Sequence, residues 1–134
     1  MSDVVAAVRA KLAATNTVTA LVSTRMYYDN LPQAATLPAL VLEQTGSDNV
    51  RHLTASTSLK RKTIAVHCYA TTHAAAVATG DVVESALEFA MGSWNGVTVT
   101  RSYVEGTADL VEPPRDGSDN FRRVRSLLCV LWHK

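Results

Sequence analysis

Residues 59–92, LKRKTIAVHCYATTHAAAVATGDVVESALEFAMG, change their hydrophobic period halfway along. In the first part Ile64, Val66 and Cys68 fall on one face of an extended chain, and Thr63, Ala65, His67 and Tyr69 on the other. That two-residue repeat is the mark of a half-buried strand. From His73 the repeat becomes helical, with Ala75, Thr79, Val82, Val83, Ala86, Leu87 and Ala90 forming one stripe toward Met91. Thr71 or Thr72 is placed to cap the start of this helix and Gly92 to stop it. Gly80 inside the helix costs about 1 kcal/mol relative to alanine, so packing against the sheet must compensate.

Working toward the N-terminus, GSDNVRHLTASTS (Gly46 to Ser58) is polar and reads as a long hairpin tip. Before it, PALVLEQTG reads as a strand opened by Pro38, a position that need not donate to the ladder. RMYYDN reads as a shorter strand, and the apolar connector from Asn30 to Thr36, stiffened by Pro32, joins the two. The chain begins with a helix capped by Ser2 or Asp3, with Val4, Val5, Val8 and Leu12 on one stripe; TVTALVS adds one more helical turn. Toward the C-terminus, Trp94 and the turn pair Asn95-Gly96 lead into the long strand GVTVTRSYVEGTADL. PPRDGSDN is a loop, and Phe121 to His133 is a final strand whose LLCVLW is apolar on both faces, as in a strand covered on both sides. The order α-β-β-α-β-β predicts a single α+β two-layer domain over 1–134, with about four mainly antiparallel strands and two main helices.

Composition narrows the function classes. The chain has 134 residues and 47% hydrophobic residues, enough for one core without staples. A formal net charge of +1 provides no general field toward nucleic acid or acidic membranes. MSDVVAAVRAKLAA does not read as a signal peptide, and no apolar run approaches a membrane span, so the expectation is a protein made in a cytoplasm with no membrane partner. Cys68 and Cys129 sit far apart in apolar runs and read as buried, reduced thiols.

The sequence carries no phosphate-cradling glycine loop, no nucleophile elbow and no paired-histidine zinc helix, so no enzyme, cofactor or metal is expected. His52, His67, His73 and His133 are scattered, and His67 and Cys68 point to opposite strand faces. Glu84 and Glu88 read as a solvated helix face. Glu105, Asp109 and Glu112 do not form a metal set. Two basic clusters stand out: Lys60, Arg61 and Lys62, with Arg51 and His52 across the hairpin, and Arg122 and Arg123 with Arg125. Such residues discourage strand-edge pairing, or they meet phosphates or an acidic protein surface.

Five pieces in order carry a resemblance. They are Ala20-Leu21-Val22 with Arg25, Tyr27 and Tyr28; Leu31-Pro32-Gln33-Ala34 with Leu37-Pro38-Ala39-Leu40-Val41; Cys68-Tyr69-Ala70 followed by Val82, Val83 and Ala86-Leu87; Asp109-Leu110-Val111-Glu112-Pro113; and Leu128 to Trp132. The chain resembles the tail completion proteins of long-tailed phages, also called tail terminators or head-to-tail joining proteins, with Val111 where an aromatic is common. The resemblance implies a non-catalytic virion protein of the tail's head-proximal end, assembled in the host cytoplasm. It implies a homo-oligomeric ring, commonly of six copies, that terminates the tail tube and joins it to the head connector, with DNA passing through its channel. A tail tube subunit or head-side stopper is the alternative, and a small nucleic-acid-binding module a further one. On the ring reading, Leu31, Pro32, Leu37 and Pro38 are the candidate subunit interface. Arg51, His52, Lys60, Arg61, Lys62, Arg122 and Arg123 are the candidate contacts to tube, connector or DNA.

Overall fold

A computed structural model describes residues 3–32, 36–51, 56–112 and 122–133. Three helices, α1 (Val4–Ala13), α2 (Asn16–Val22) and α3 (His73–Leu87), accompany six strands. These are β1 (Met26–Tyr28), β2 (Ala39–Arg51), β3 (Ser56–Ala70), β4 (Gly92–Trp94), β5 (Val97–Glu112) and β6 (Arg122–His133). They form one sheet in the order β1-β2-β3-β6-β5-β4, antiparallel throughout except that β1 runs parallel to β2. The α+β class is as expected. The element count is higher: TVTALVS completes a helix, RMYYDN, which the four-strand order left out, pairs as β1, and the residues before Asn95-Gly96 pair as β4.

Local chemistry explains the helix starts. Asp3 Oδ1 accepts from the Ala6 N–H at 3.1 Å, and Thr72 Oγ1 accepts from the Ala75 N–H at the same distance. The expected stripe of α3 is rotated slightly: the buried set is Ala76, Thr79, Gly80, Val83 and Leu87, while Val82 and Ala86 pack at its border. Thr79 belongs inside because its hydroxyl donates to the Ala75 carbonyl at 2.8 Å. The helix stops at Leu87, four residues before Met91, and Phe89 with φ 51° then turns the chain. Asn95 (φ 50°) and Gly96 (φ 82°) fill the two-residue turn between β4 and β5, which needs a left-handed conformation at both positions.

The polar stretch expected to be one long hairpin tip is mostly strand. β2 runs on to Arg51 and β3 begins at Ser56. Thr and Ser suit a strand as well as they suit a loop, so a polar hairpin leaves no apolar alternation to read.

All three helices pack on one face of the sheet. Val8 and Leu12 of α1, Val18 and Val22 of α2, and Val83 and Leu87 of α3 share a core with Leu40, Leu42, Ile64, Val66, Cys68, Leu127, Cys129 and Leu131. Burial pushes the thiols of both Cys68 and Cys129 up to about 12, so they stay protonated and unreactive in the folded chain. The other face carries no helix among the described residues. This corrects the expectation that β6 is covered on both sides. Val130 is fully buried there, in register between Thr63 and Tyr103 on the flanking strands, but Leu128 on the same face is 40% exposed.

The most specific helix–sheet contact is made by a glycine and a cation. A Cβ on Gly80 would lie 2.5 Å from Arg125 Cδ and 3.0 Å from its Cγ. The far end of Arg125 cannot easily give way. Its Nε and Nη2 donate to the two carboxylate oxygens of Asp109 at 2.7 and 2.9 Å, and Nη1 lies 3.7 Å from Asp81. The arginine holds the Asp109 carboxyl below the usual carboxylate range.

The expected consequence is a reversal of the usual glycine rule. Gly80→Ala loses about 1 kcal/mol of stability net, overpacking outweighing helix propensity. In an Arg125→Ala background the same change gains up to about 1 kcal/mol. Urea unfolding midpoints of the four proteins in this cycle check both signs.

Candidate interaction surface

In the connector between the parallel strands β1 and β2, Leu31 packs on the sheet face that carries no helix among the described residues. Its exit into β2 is held by Arg25, whose Nε donates to the Pro38 carbonyl at 2.9 Å and whose Nη2 donates to the Leu21 carbonyl at 3.0 Å. Leu31 is only 3% exposed and forms a small cluster with Ala39 and Val41, bordered by Tyr27, Leu37 and Tyr69. Of the four residues expected to form a subunit interface, Leu31 is therefore part of the protomer's own core. Leu37 and Pro38 are half-buried and Pro32 is exposed.

The expected basic contacts separate into two places. Strand register sets Lys60 opposite His133 and Ala70 opposite Arg123. The Lys60–Lys62 cluster and the Arg122–Arg123 pair thus lie about 30 Å apart at opposite ends of the β3–β6 ladder, at about 3.3 Å per residue. Lys62 Nζ donates to Ser47 Oγ at 2.6 Å, Lys60 and Arg123 are exposed, and Arg122 is half-buried. Arg51 is placed by its backbone alone, in register with Ser56, and His52 lies outside the described residues.

At the Lys60 end the sheet assembles a group that the linear sequence hides. Arg61 and Arg101 approach the Trp132 ring, with guanidinium carbons 5.9 and 5.8 Å from its centroid. Tyr103 lies 5.7 Å from the same ring. Glu88, Phe89, Arg101, Tyr103 and Trp132 line a shallow cavity of about 350 Å³. Alternation along TRSYVEG places Arg101 and Tyr103 on one face, and this was the only sequence signal available. Their meeting with Trp132 depends on the β5–β6 register.

Glu88, expected on a solvated face, instead caps the sheet edge: its Oε2 accepts from the Val104 N–H at 3.3 Å. His67 spans three strands, with Nδ1 2.6 Å from Ser126 Oγ and Nε2 3.0 Å from Glu43 Oε1. Each ring nitrogen thus has a partner, while Cys68 points into the core on the opposite face. No group of three potential metal ligands exists among the described residues. The chemistry on offer is recognition: stacked guanidiniums suit carboxylates or phosphates, and apolar side chains at the sheet margin suit another protein.

Comparisons with known proteins add two findings. The profile of a family described as "Tail completion protein gp17" matches residues 6–127. A solved chain from the virion of a native gene transfer agent particle has the same fold, with a TM-score of 0.63 at 17% identity, covering 95% of this chain and 92% of that one. No curated protein sequence matches the chain.

Because Leu31 is core, Leu31→Ala is expected to lower folding stability by about 2 kcal/mol. Pro32→Ala, at an exposed position, is expected to change it by less than about 0.5 kcal/mol. Thermal unfolding of the two variants separates a core connector from a purely external one.

Proposed function

From the premise that the chain belongs to the tail completion protein gp17 family, we propose that it forms a ring at the head-proximal end of a phage tail. The ring, of six copies, terminates the tail tube and receives the head connector, and its action is assembly rather than catalysis. The observation that carries this reading is the extent of the family match, which runs from within α1 to the middle of β6. The shared fold with a chain of a gene transfer agent virion supports a virion component.

Within this reading the two ends of the sheet serve different neighbours. The end carrying Lys60, Arg61, Lys62 and Arg101 offers cations and an aromatic platform to an acidic protein surface or to the phosphates of DNA in the channel. The other end carries Arg123 beside the Asp109–Arg125 pair. Reduced thiols, a location in the virion tail and assembly in the host cytoplasm fit the same picture.

Removing the gene is expected to leave filled heads and separate tails, with joined particles restored by supplying the protein in trans. Electron microscopy of the particles reads this out, and quantification against the tube protein gives the copy number. One ring per tail supports a terminator, many stacked rings a tube subunit, and copies on tail-less heads a stopper. The substitution Lys60→Glu, at an exposed position, is expected to cut joining about tenfold, roughly 1.4 kcal/mol, with the unfolding temperature unchanged.

A further inference from the structure

The two margins of the sheet are stepped, and the steps are complementary. On one margin the outer edge of β2 is covered by β1 at Leu40–Leu42, and among the described residues no strand lies outside Glu43 to Arg51. On the other margin β4 covers β5 only at Val97–Val99. The α3–β4 connection continues this cover: Ser102 Oγ donates to the carbonyls of Leu87 and Ala90 at 2.6 and 3.2 Å, and Glu88 caps Val104. Beyond that point residues 105–111 of β5 are exposed on both faces.

Register compares the two margins at the same height. Tyr28 pairs with Leu42, Leu42 with Val66, Val66 with Leu127, and Leu127 with Thr107. Met26 leads in the same way through Leu40, Cys68 and Arg125 to Asp109. The step made by β1 is therefore level with the notch beside Thr107–Asp109. The open edge of β2 at Glu43 is level with Gly106 and at Asn49 with Val99, so it faces the height of the opposite step made by residues 88–94 and β4.

We infer that neighbouring copies of this chain join margin to margin in a half-lap. The β1 step of one copy fills the notch beside residues 105–111 of the next, and the 88–94 step of that next copy fills the open edge of β2. The inference deepens the ring reading and rests on it. A rotation that repeats the sheet side by side, with its strands pointing the same way, brings these two unlike margins together, the heterologous contact that a closed ring requires.

Two features favour a second copy as the occupant. Exposed large apolar side chains gather at the margins: Phe89 (73%), Met91 (72%), Leu110 (58%) and Val111 (52%) along the β5 side, and Tyr28 (46%) on β1. Each step thus carries apolar side chains, and the notch adds Leu110 and Val111 on its two faces. Charge is complementary as well. Arg9, whose guanidinium lies 6.0 Å from the Tyr28 ring centroid, accompanies the β1 step, while exposed Glu105 stands in the notch. Much of the outer margin of β1 is already bonded within the protomer: the Met26 N–H donates to the Thr24 carbonyl at 2.8 Å, Met26 O accepts from Arg9 Nε at 3.2 Å, and Tyr28 O accepts from the Asn30 N–H at 2.6 Å. The joint is consequently one of side-chain packing at this step.

Intersubunit cross-linking tests it on the full chain, incubated with tail tubes that lack their natural ending. Tyr28→Cys combined with Thr107→Cys, and separately Tyr27→Cys combined with Ala108→Cys, each pair level and on one face of the sheet, is oxidised after assembly. The native thiols of Cys68 and Cys129 are buried and stay silent. A ladder of covalent oligomers ending at the ring's copy number, absent from each single variant, is the expected result. In parallel, Leu110→Asp with Val111→Asp should reduce ring formation about tenfold or more while leaving the unfolding temperature unchanged, as suits exposed sites. Rings that form normally with the aspartates, and in which neither cysteine pair cross-links, overturn the half-lap but leave the ring reading standing. A chain that stays monomeric on tail tubes overturns both.

Discussion

The whole sheet depends on β6 lying between β3 and β5. Each flanking strand is paired to a local hairpin partner, β2 in one case and β4 in the other, and only β6 connects the two halves. Its Leu127, Cys129 and Leu131 lie at the centre of the core that all three helices share. The constraint is topological as well as energetic. β3 and β6 are far apart in sequence, so chain entropy is lost over a long loop before the central ladder forms. The apolar LLCVLW stretch supplies the burial that offsets this loss.

With β6 in place, the side chains from distant segments acquire their partners. Arg125 on β6 reaches Asp109 on β5, lies against Gly80 on α3 and approaches Asp81. Trp132, near the other end of β6, receives Arg61 from β3 and Arg101 from β5. One strand thus positions both the contact that sets the seat of α3 and the cationic–aromatic group of the candidate surface. The opposite sheet face is lightly covered, by the Leu31 cluster at the β1–β2 side and by neighbouring side chains around Val130.

Features whose cause lies within a few residues were legible in the sequence. A cap at Thr71 or Thr72, the Ile64–Val66–Cys68 face, and the Asn95-Gly96 turn were all legible, because capping, alternation and left-handed turns are short-range properties; the structure selects Thr72. The polar parts of β2 and β3 were not, since Ser, Thr, Asp and Asn satisfy a loop and a solvated hairpin alike. Leu31 was read as an outward surface because its burial comes from Ala39 and Val41, to which the crossover returns it. The basic residues were identified, but their division between two ends required the β3–β6 register. Arg101, Tyr103 and Trp132 were missed for the same reason: 29 positions separate Tyr103 from Trp132 in the chain, whereas one diagonal step across a ladder separates them in space.

The sheet's opposed ends have a further consequence. The β2–β3 hairpin extends from the end that carries Lys60, and the β5–β6 hairpin from the end that carries Arg123. The molecule is therefore polar along its strands, with chemically different poles. Any assembly that keeps its strands aligned inherits that polarity on a larger scale. It can be inserted one way up only, and a wrong-way subunit would present the wrong pole to both neighbours at once.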